Sequence, residues 1–177
     1  QFWQSNQFYL ARVSITAEHH SGLFSTLYLK PLIDQHNAIF EGVKHACQQQ
    51  FNYNLANRYQ QVDNDLLNIW QTQLKQISQA DNAILKNANR MLVEGFAHHQ
   101  ANYFAALPAL HDYWQHNLSR IKRSLTAHED ALLNEAINNQ TSPVKLAHNY
   151  RLGSVKLTGQ KHVIKSLRQL ISKLLTC

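Results

Sequence analysis

The chain has 177 residues, of which 44% are hydrophobic and 16% are charged, and its formal net charge is +6. This length and composition predict one globular domain with its own hydrophobic core, and they exclude a disordered chain. Only five glycines and three prolines occur, so turn-forming residues are too scarce for a β-sandwich or a β-barrel.

No stretch approaches the roughly 20 apolar residues that a membrane-spanning helix needs, and no signal peptide is present. We therefore expect a soluble chain without an integral membrane segment, with a slight preference for the cytoplasm. The sequence begins at Gln1 rather than methionine, so the removal of an N-terminal signal, anchor or domain stays open. An alternative hypothesis is that the chain is the extracytoplasmic helical domain of a larger protein.

Apolar spacing predicts helices from the N-terminus onward. The stretch from about Asn6 to Lys30 is expected to be helical, with a break near Gly22. Pro31 suits the first turn of the next helix, where its missing N–H costs nothing. The apolar stripe of that helix recurs at three- and four-residue intervals, and its members are Leu32, Ile33, His36, Ile39, Phe40, Val43 and Cys47.

A nearly heptad repeat predicts a long helix after this one. Its members are Leu55, Tyr59, Val62, Leu66, Ile69, Trp70, Leu74 and Ile77. Another long helix is predicted from Ile84 to Leu107, and it should end there because a residue that precedes proline is disfavoured in the helical conformation. A further helix is expected from Leu110 to Leu125.

Thr126 and Glu129 have the spacing of a capping box, which predicts a short helix through Ile137. The polar stretch that follows, residues 138–143, marks a hinge, and Ser142 with Pro143 suits the start of another helix. The predicted fold is an all-α bundle of four to six mostly antiparallel helices over residues 1–140. A basic helical extension over residues 141–177 completes what is expected to be one domain overall.

The positive charge is concentrated in the C-terminal part. Residues 1–100 contain seven lysines and arginines and seven acids, whereas residues 101–177 contain ten and four, and Glu135 is the last acid. Lys161, Lys165 and Arg168 share one helical face, opposite an apolar stripe that includes Leu167. The candidate contacts with an acidic partner are Arg120, Lys122, Arg123, Arg151, Lys156, Lys161, Lys165, Arg168 and Lys173.

Three interpretations of this basic amphipathic helix compete. It is the packed last helix of the bundle, a surface that binds nucleic acid phosphates, or a helix that docks on an anionic membrane or in a partner's groove. Binding of single-stranded nucleic acid normally requires exposed aromatic rings, and Tyr150 is the only aromatic residue after Trp114. Contact with a duplex backbone needs only cations and helix ends.

A metal site or an enzyme is the alternative from another class. Among the eleven histidines, three follow an acid by four residues, and the residues of the hypothetical site are Glu94, His98, Asp112 and His116. The di-iron pattern uses a spacing of three residues, so pairing on a helix face is the favoured interpretation. No catalytic motif occurs, and the spacing of Gly153 and Gly159 does not fit a phosphate-binding loop. We expect no cofactor and no enzymatic activity.

Two local features remain. Cys47 and Cys177 are expected to be two free thiols rather than a disulfide. The segment NAIFEGVKHACQQQFNYNL, residues 37–55, is similar to helices of phasins, the granule-coating proteins of polyester-storing bacteria. This resemblance covers under a fifth of the chain and contains no defining motif, so it implies no site residue.

The sequence as a whole favours a non-enzymatic helical binding or adaptor module that engages an acidic partner, either a nucleic acid backbone or an acidic protein segment.

Overall fold

The computed structural model describes residues 2–33, 36–55, 58–75, 82–149, 151–152 and 155–176. The chain is mostly helical, as its sequence predicts. It divides into two compact units, Gln1–Ala88 and Asn89–Cys177, and the boundary falls within helix α4 (Asn82–Ala97). Residues 141–177, which were expected as a basic extension, fall within the second unit.

The N-terminal segment is a β-hairpin, so the prediction of a helix from Asn6 to Lys30 is wrong. After a single turn of helix, α1 (Phe2–Ser5), strand β1 (Tyr9–Val13) pairs antiparallel with β2 (Thr26–Leu29). The register shifts between Leu10 and Arg12. This irregularity puts the two buried residues of β1, Leu10 and Val13, three positions apart, which imitates a helical period.

Helix α2 (Asn37–Leu55) begins well after Pro31 and packs against β1. The expected position of Pro31 in its first turn is therefore wrong. The start of the predicted stripe also lies outside the core, because Leu32 is 89% exposed and Ile39 is 69% exposed. Cys47, later in the same helix, is buried as its spacing predicts.

The predicted continuous helix from Leu55 to Ile77 is wrong as well. Helix α3 (Asn64–Lys75) has a start of its own, because the Asp63 carboxylate accepts hydrogen bonds from the backbone N–H groups of Asp65 and Leu66 at 2.9 and 3.2 Å. Tyr59 and Val62 lie in the turn before it and are both buried, so the turn continues the apolar pattern of the helices. Ile77 lies outside the described residues.

Aromatic rings form the centre of the first unit's core. Phe51 of α2 stacks on Tyr59 with ring centroids 5.3 Å apart, and Trp70 of α3 meets both rings edge-on at 6.1 to 6.3 Å. Aliphatic and thiol side chains from the hairpin, both helices and the intervening turn surround this centre: Leu10, Val13, Cys47, Val62 and Leu74.

In the second unit, a loop separates α4 from α5 (Tyr103–Ser124). His99 adopts a positive φ of 64° there, and the Asn102 side chain caps α5 by accepting the Phe104 N–H at 2.9 Å. The predicted helix from Ile84 to Leu107 is therefore interrupted, and α5 continues through Pro108. We attribute the continuation to packing, since Leu107, Pro108 and Leu110 are all buried and their burial offsets the missing N–H of proline.

Helix α5 has a kink at Asn117, where φ is −122° and ψ is 15°. The Asn117 side-chain amide donates to the Tyr113 carbonyl at 2.8 Å, which is the acceptor that the helical backbone would otherwise use. The capping box of Thr126 and Glu129 is confirmed at the start of α6 (Ala127–Ile137). The predicted helix start at Pro143 is confirmed too.

That helix, α7 (Pro143–Asn149), leads through a short antiparallel pair, β3 (Arg151–Leu152) and β4 (Val155–Lys156), to the last helix, α8 (Gly159–Leu175). Helix α8 packs against α7 and α5 within this unit. Its buried side chains are Val163, Ser166, Leu167, Leu170, Ile171 and Leu174. The apolar stripe predicted for this helix is thus mostly in the core, whereas Lys161 and Lys165 are exposed.

Candidate anion-binding surface

The division into two units also separates the charges. The first unit contains six lysines and arginines and six acids, whereas the second contains eleven and five, so the second unit accounts for the net charge of +6. A surface of this sign attracts anions over a range of about 10 Å at moderate ionic strength. Any anion-binding site is therefore expected on the second unit.

Acidic side chains of the second unit are mostly engaged by neighbours within it. Glu94 pairs with Arg90 at 2.7 Å, and the Asp112 carboxylate accepts from the side-chain amide of Asn89 at 3.1 Å. Glu135 accepts from the side chains of Asn139 and Thr141, and Glu129 pairs with Lys173. These acids do not neutralise the remaining cations.

Six exposed cations of the second unit have no ion pair or side-chain hydrogen bond among the described residues. They lie in α5, α7, β4 and α8, and they are Lys122, Arg123, Lys145, Lys156, Lys161 and Lys165. A cation of this kind contacts a phosphate or carboxylate without first breaking an existing bond. Five of the six are among the contacts predicted from sequence, and Lys145 is the addition.

Three of these lysines lie in β4 and the first two turns of α8, and we call Lys156, Lys161 and Lys165 the lysine surface. Lys156 lines a cavity together with Gly159 and Gln160 at the beginning of the helix. Lys161 follows directly, and Lys165 lies one turn further along the same face. All three side chains are exposed and positively charged. The sequence contains no acid from residue 136 onward.

Arg168 contacts neighbours within the second unit. Its guanidinium contacts His99 Nδ1 at 2.9 Å and donates to the Ala101 carbonyl at 3.3 Å. The same group lies 5.3 Å from the centre of the Phe96 ring, a favourable position for a cation over an aromatic face. Arg168 therefore connects α8 to the loop between α4 and α5.

Lys173 has a similar internal role, because its ammonium donates to both oxygens of Glu129 at 3.0 and 3.2 Å. Partial burial by itself would raise the pKa of Glu129. Hydrogen bonds from the Thr126 backbone N–H and from Lys173 outweigh that effect and hold the pKa below its usual value. Lys173 and Arg168 thus fix α8 in the unit.

Among the remaining predicted cations, Arg120, Lys122 and Arg123 lie in the last two turns of α5. Arg120 hydrogen-bonds to the Tyr113 hydroxyl, which in turn donates to the Leu174 carbonyl at 3.3 Å. Leu174 is about 20 Å along the helix axis from Lys161. Arg120 is therefore held near the end of α8 that lies away from the lysine surface. The backbone of Arg151 belongs to β3, and its side chain lies outside the described part of the structure.

The cavity beside Lys156 was not predicted. It has a volume of about 260 Å³ and a mostly apolar surface, and its lining residues are Val144, Ala147, His148, Lys156, Leu157, Thr158, Gly159 and Gln160. Leu157 is 1% exposed and Ala147 is 7% exposed, so they form rigid walls, whereas Val144 is 53% exposed at the rim. No motif marks these residues in the sequence, because they come together only when α7 folds back onto the start of α8.

The residues of the hypothetical metal site do not converge on one point. His116 lies 3.3 Å from Asp112, in agreement with the predicted pairing on a helix face. Glu94 pairs with Arg90 rather than with His98. Across the ranges that the structure describes, no three histidine, cysteine or acidic side chains come close enough to hold a metal ion. The site formed by Glu94, His98, Asp112 and His116 is therefore not assembled.

Two other expectations concern a membrane span and the thiols. No helix in the described part of the chain is long and apolar enough to cross a membrane. Cys47 is a buried free thiol, and burial raises its pKa to about 12, with a smaller opposing effect from a hydrogen bond to the Val13 backbone. Cys177 lies outside the described residues.

Comparisons with protein-family models, curated proteins and solved structures give no match.

Proposed function

We propose that the chain is a non-enzymatic binding or adaptor module that engages an acidic partner through the lysine surface. In this proposal α8 is a basic amphipathic helix with two separate roles. Its apolar stripe is buried in the second unit, and Lys161 and Lys165 face the partner. The observation that carries the proposal is that these lysines and Lys156 are exposed and unpaired among the described residues, while nearby Arg168 and Lys173 are engaged internally.

Electrostatics supports a partner with several negative charges. Each exposed lysine contributes little to a contact with a single anion in water, because salt and solvent screen the interaction. Three cations on one surface act together on a polyanion, and binding also releases the partner's condensed counterions when the partner is a nucleic acid. The expected binding is therefore strong at low salt and falls steeply as salt increases.

The experiment measures fluorescence anisotropy of a labelled DNA duplex and of labelled polyglutamate, each titrated with the full chain at low salt. The variant is Lys161→Gln/Lys165→Gln, and the matched control is Lys75→Gln/Lys86→Gln, which removes two exposed lysines of the first unit. We expect the first variant to bind at least tenfold more weakly and the control to retain wild-type affinity.

Three results distinguish the outcomes. Loss of binding in the α8 variant alone supports the proposal. An equal loss in both variants shows that net charge matters and the lysine surface does not, which contradicts it. Absence of binding to either polyanion at low salt also contradicts it, and it leaves α8 as a packed helix with a solvated face.

A further inference from the structure

We propose that the partner of the lysine surface is an acidic protein segment that places one apolar side chain in the cavity beside Lys156. This inference rests on the proposed function and makes it more specific. The relevant juxtaposition is that of an apolar cavity with exposed lysines: Lys156 itself lines the cavity, and Lys161 directly follows the lining residue Gln160.

The cavity is slightly smaller than a usual small-molecule site. Sites for small molecules usually have volumes of about 300 to 1,000 Å³, and this cavity has about 260 Å³. An anchor pocket at a protein interface typically receives one aliphatic or aromatic side chain, which becomes fully desolvated there. The buried walls formed by Ala147 and Leu157 and the exposed rim at Val144 provide these surroundings.

Charge complementarity identifies the residues that flank the anchor. Lys156 lines the cavity, Lys161 directly follows the lining residue Gln160, and no acid occurs in residues 136–177. Glutamates or aspartates on either side of an apolar residue would meet these cations. Charges at the rim of an interface mainly increase the association rate and exclude wrong partners, while the buried anchor supplies affinity.

The same surroundings are less suited to nucleic acid. A phosphate backbone would contact the lysines and leave the apolar walls of the cavity unfilled. Bases of a single strand need exposed aromatic rings. The large exposed hydrophobic side chains in the described part of the second unit are Met91 and Val144, and neither is aromatic.

The test compares two labelled nine-residue peptides made of glutamate and aspartate around one central residue, which is leucine in one peptide and alanine in the other. Both peptides carry the same charge, so a difference in affinity reports the cavity. We expect the leucine peptide to bind about tenfold more tightly, which corresponds to burial of most of a leucine side chain. The readout is fluorescence anisotropy with the full chain at fixed salt.

Two variants locate the effect. Val144→Gln makes the cavity rim polar, and Gln160→Trp places a bulky side chain there; both residues are exposed, so folding should be retained and is checked by circular dichroism. Each variant should reduce the preference for leucine to less than threefold. The matched control is Met91→Gln, which changes an exposed apolar residue that does not line the cavity.

The outcomes separate this inference from the proposed function. Equal binding of both peptides, with binding still lost in Lys161→Gln/Lys165→Gln, overturns the anchor and leaves the lysine surface in place. A preference for leucine that persists in both cavity variants also overturns the proposal that an apolar side chain occupies the cavity. Binding of a DNA duplex together with no binding of either peptide at the same salt overturns the acidic segment and identifies nucleic acid as the partner. Absence of binding by every probe contradicts the proposed function itself.

Discussion

Lys173 Nζ lies 3.0 Å from Oε2 of Glu129, and the same carboxylate oxygen accepts the backbone N–H of Thr126 at 2.8 Å. The Glu129 side chain therefore both completes the capping box of α6 and holds the last turn of α8. Because the pKa of Glu129 is held below its usual value, the charged form is the one that stabilises the fold.

This arrangement gives the second unit an acid-sensitive contact. A carboxyl group with a lowered folded pKa contributes stability above its unfolded pKa, and the contribution is lost as the pH falls through the folded value. Glutamine can still form a capping box, so Glu129→Gln removes mainly the charge. We expect the variant to be about 1 kcal/mol less stable at pH 7 and equal to the wild type near pH 2.5.

Urea denaturation at the two pH values measures this difference. Glu94→Gln is the control, because its surface pair with Arg90 is exposed and contributes little. A stability deficit of Glu129→Gln that is the same at both pH values would show that the charge of Glu129 is not responsible.

Arg168 is expected to affect stability rather than partner binding. A lysine at this position cannot contact His99 and Ala101 together or place a planar group over Phe96, so Arg168→Lys should cost about 1 to 2 kcal/mol. Lys165→Gln, one turn earlier and exposed, should cost less than about 0.5 kcal/mol. Urea unfolding and polyanion titration of both variants test this prediction. The prediction is wrong if Arg168→Lys weakens polyanion binding while the free energy of unfolding is unchanged.

The first unit provides a contrast between a buried and an exposed apolar residue. Phe51 is 2% exposed within the aromatic centre, whereas Leu32 is 89% exposed. Phe51→Ala should destabilise by about 3 to 5 kcal/mol through the cavity that it creates, and Leu32→Ala by less than about 0.5 kcal/mol. Equal losses of thermal stability in the two variants would place Leu32 in the core, as its spacing in the sequence predicts.

Cys47 is expected to be chemically inert in the folded chain. Its pKa of about 12 leaves almost no thiolate at pH 8, and the thiolate is the reactive form. In a Cys177→Ser variant, in which Cys47 is the remaining thiol, reaction with a disulfide reagent should be slow in buffer and rapid in denaturant. Rapid stoichiometric reaction of the native protein would be inconsistent with the burial of this thiol.

The sequence predicts elements well where local chemistry decides them. Thr126 with Glu129 and Ser142 with Pro143 start helices as expected, because capping depends on residues close in the chain. The apolar stripe of α8 is likewise buried around Leu167. These features require no knowledge of distant contacts.

Several elements that the sequence did not predict depend on tertiary packing, whereas the caps at Asp63 and Asn102 are local signals that were missed. A register shift gives Leu10 and Val13 the spacing of a helix inside a strand, and Pro108 is tolerated within α5 among buried neighbours. The candidate site has the same limit. The charge pattern of the sequence indicates Lys161 and Lys165 as contacts with the partner. The engagement of Arg168 by His99, by contrast, depends on a contact between residues 69 positions apart.

The salt dependence of polyanion binding tests whether the lysine surface is the binding site. The logarithm of the association constant for a DNA duplex should fall linearly with the logarithm of the salt concentration, with a slope of about −0.9 for each phosphate contact. For Lys156→Gln/Lys161→Gln/Lys165→Gln we predict a slope that is about 2.7 less negative than that of the wild type. A slope equal to that of the wild type would contradict the assignment of the lysine surface as the binding site.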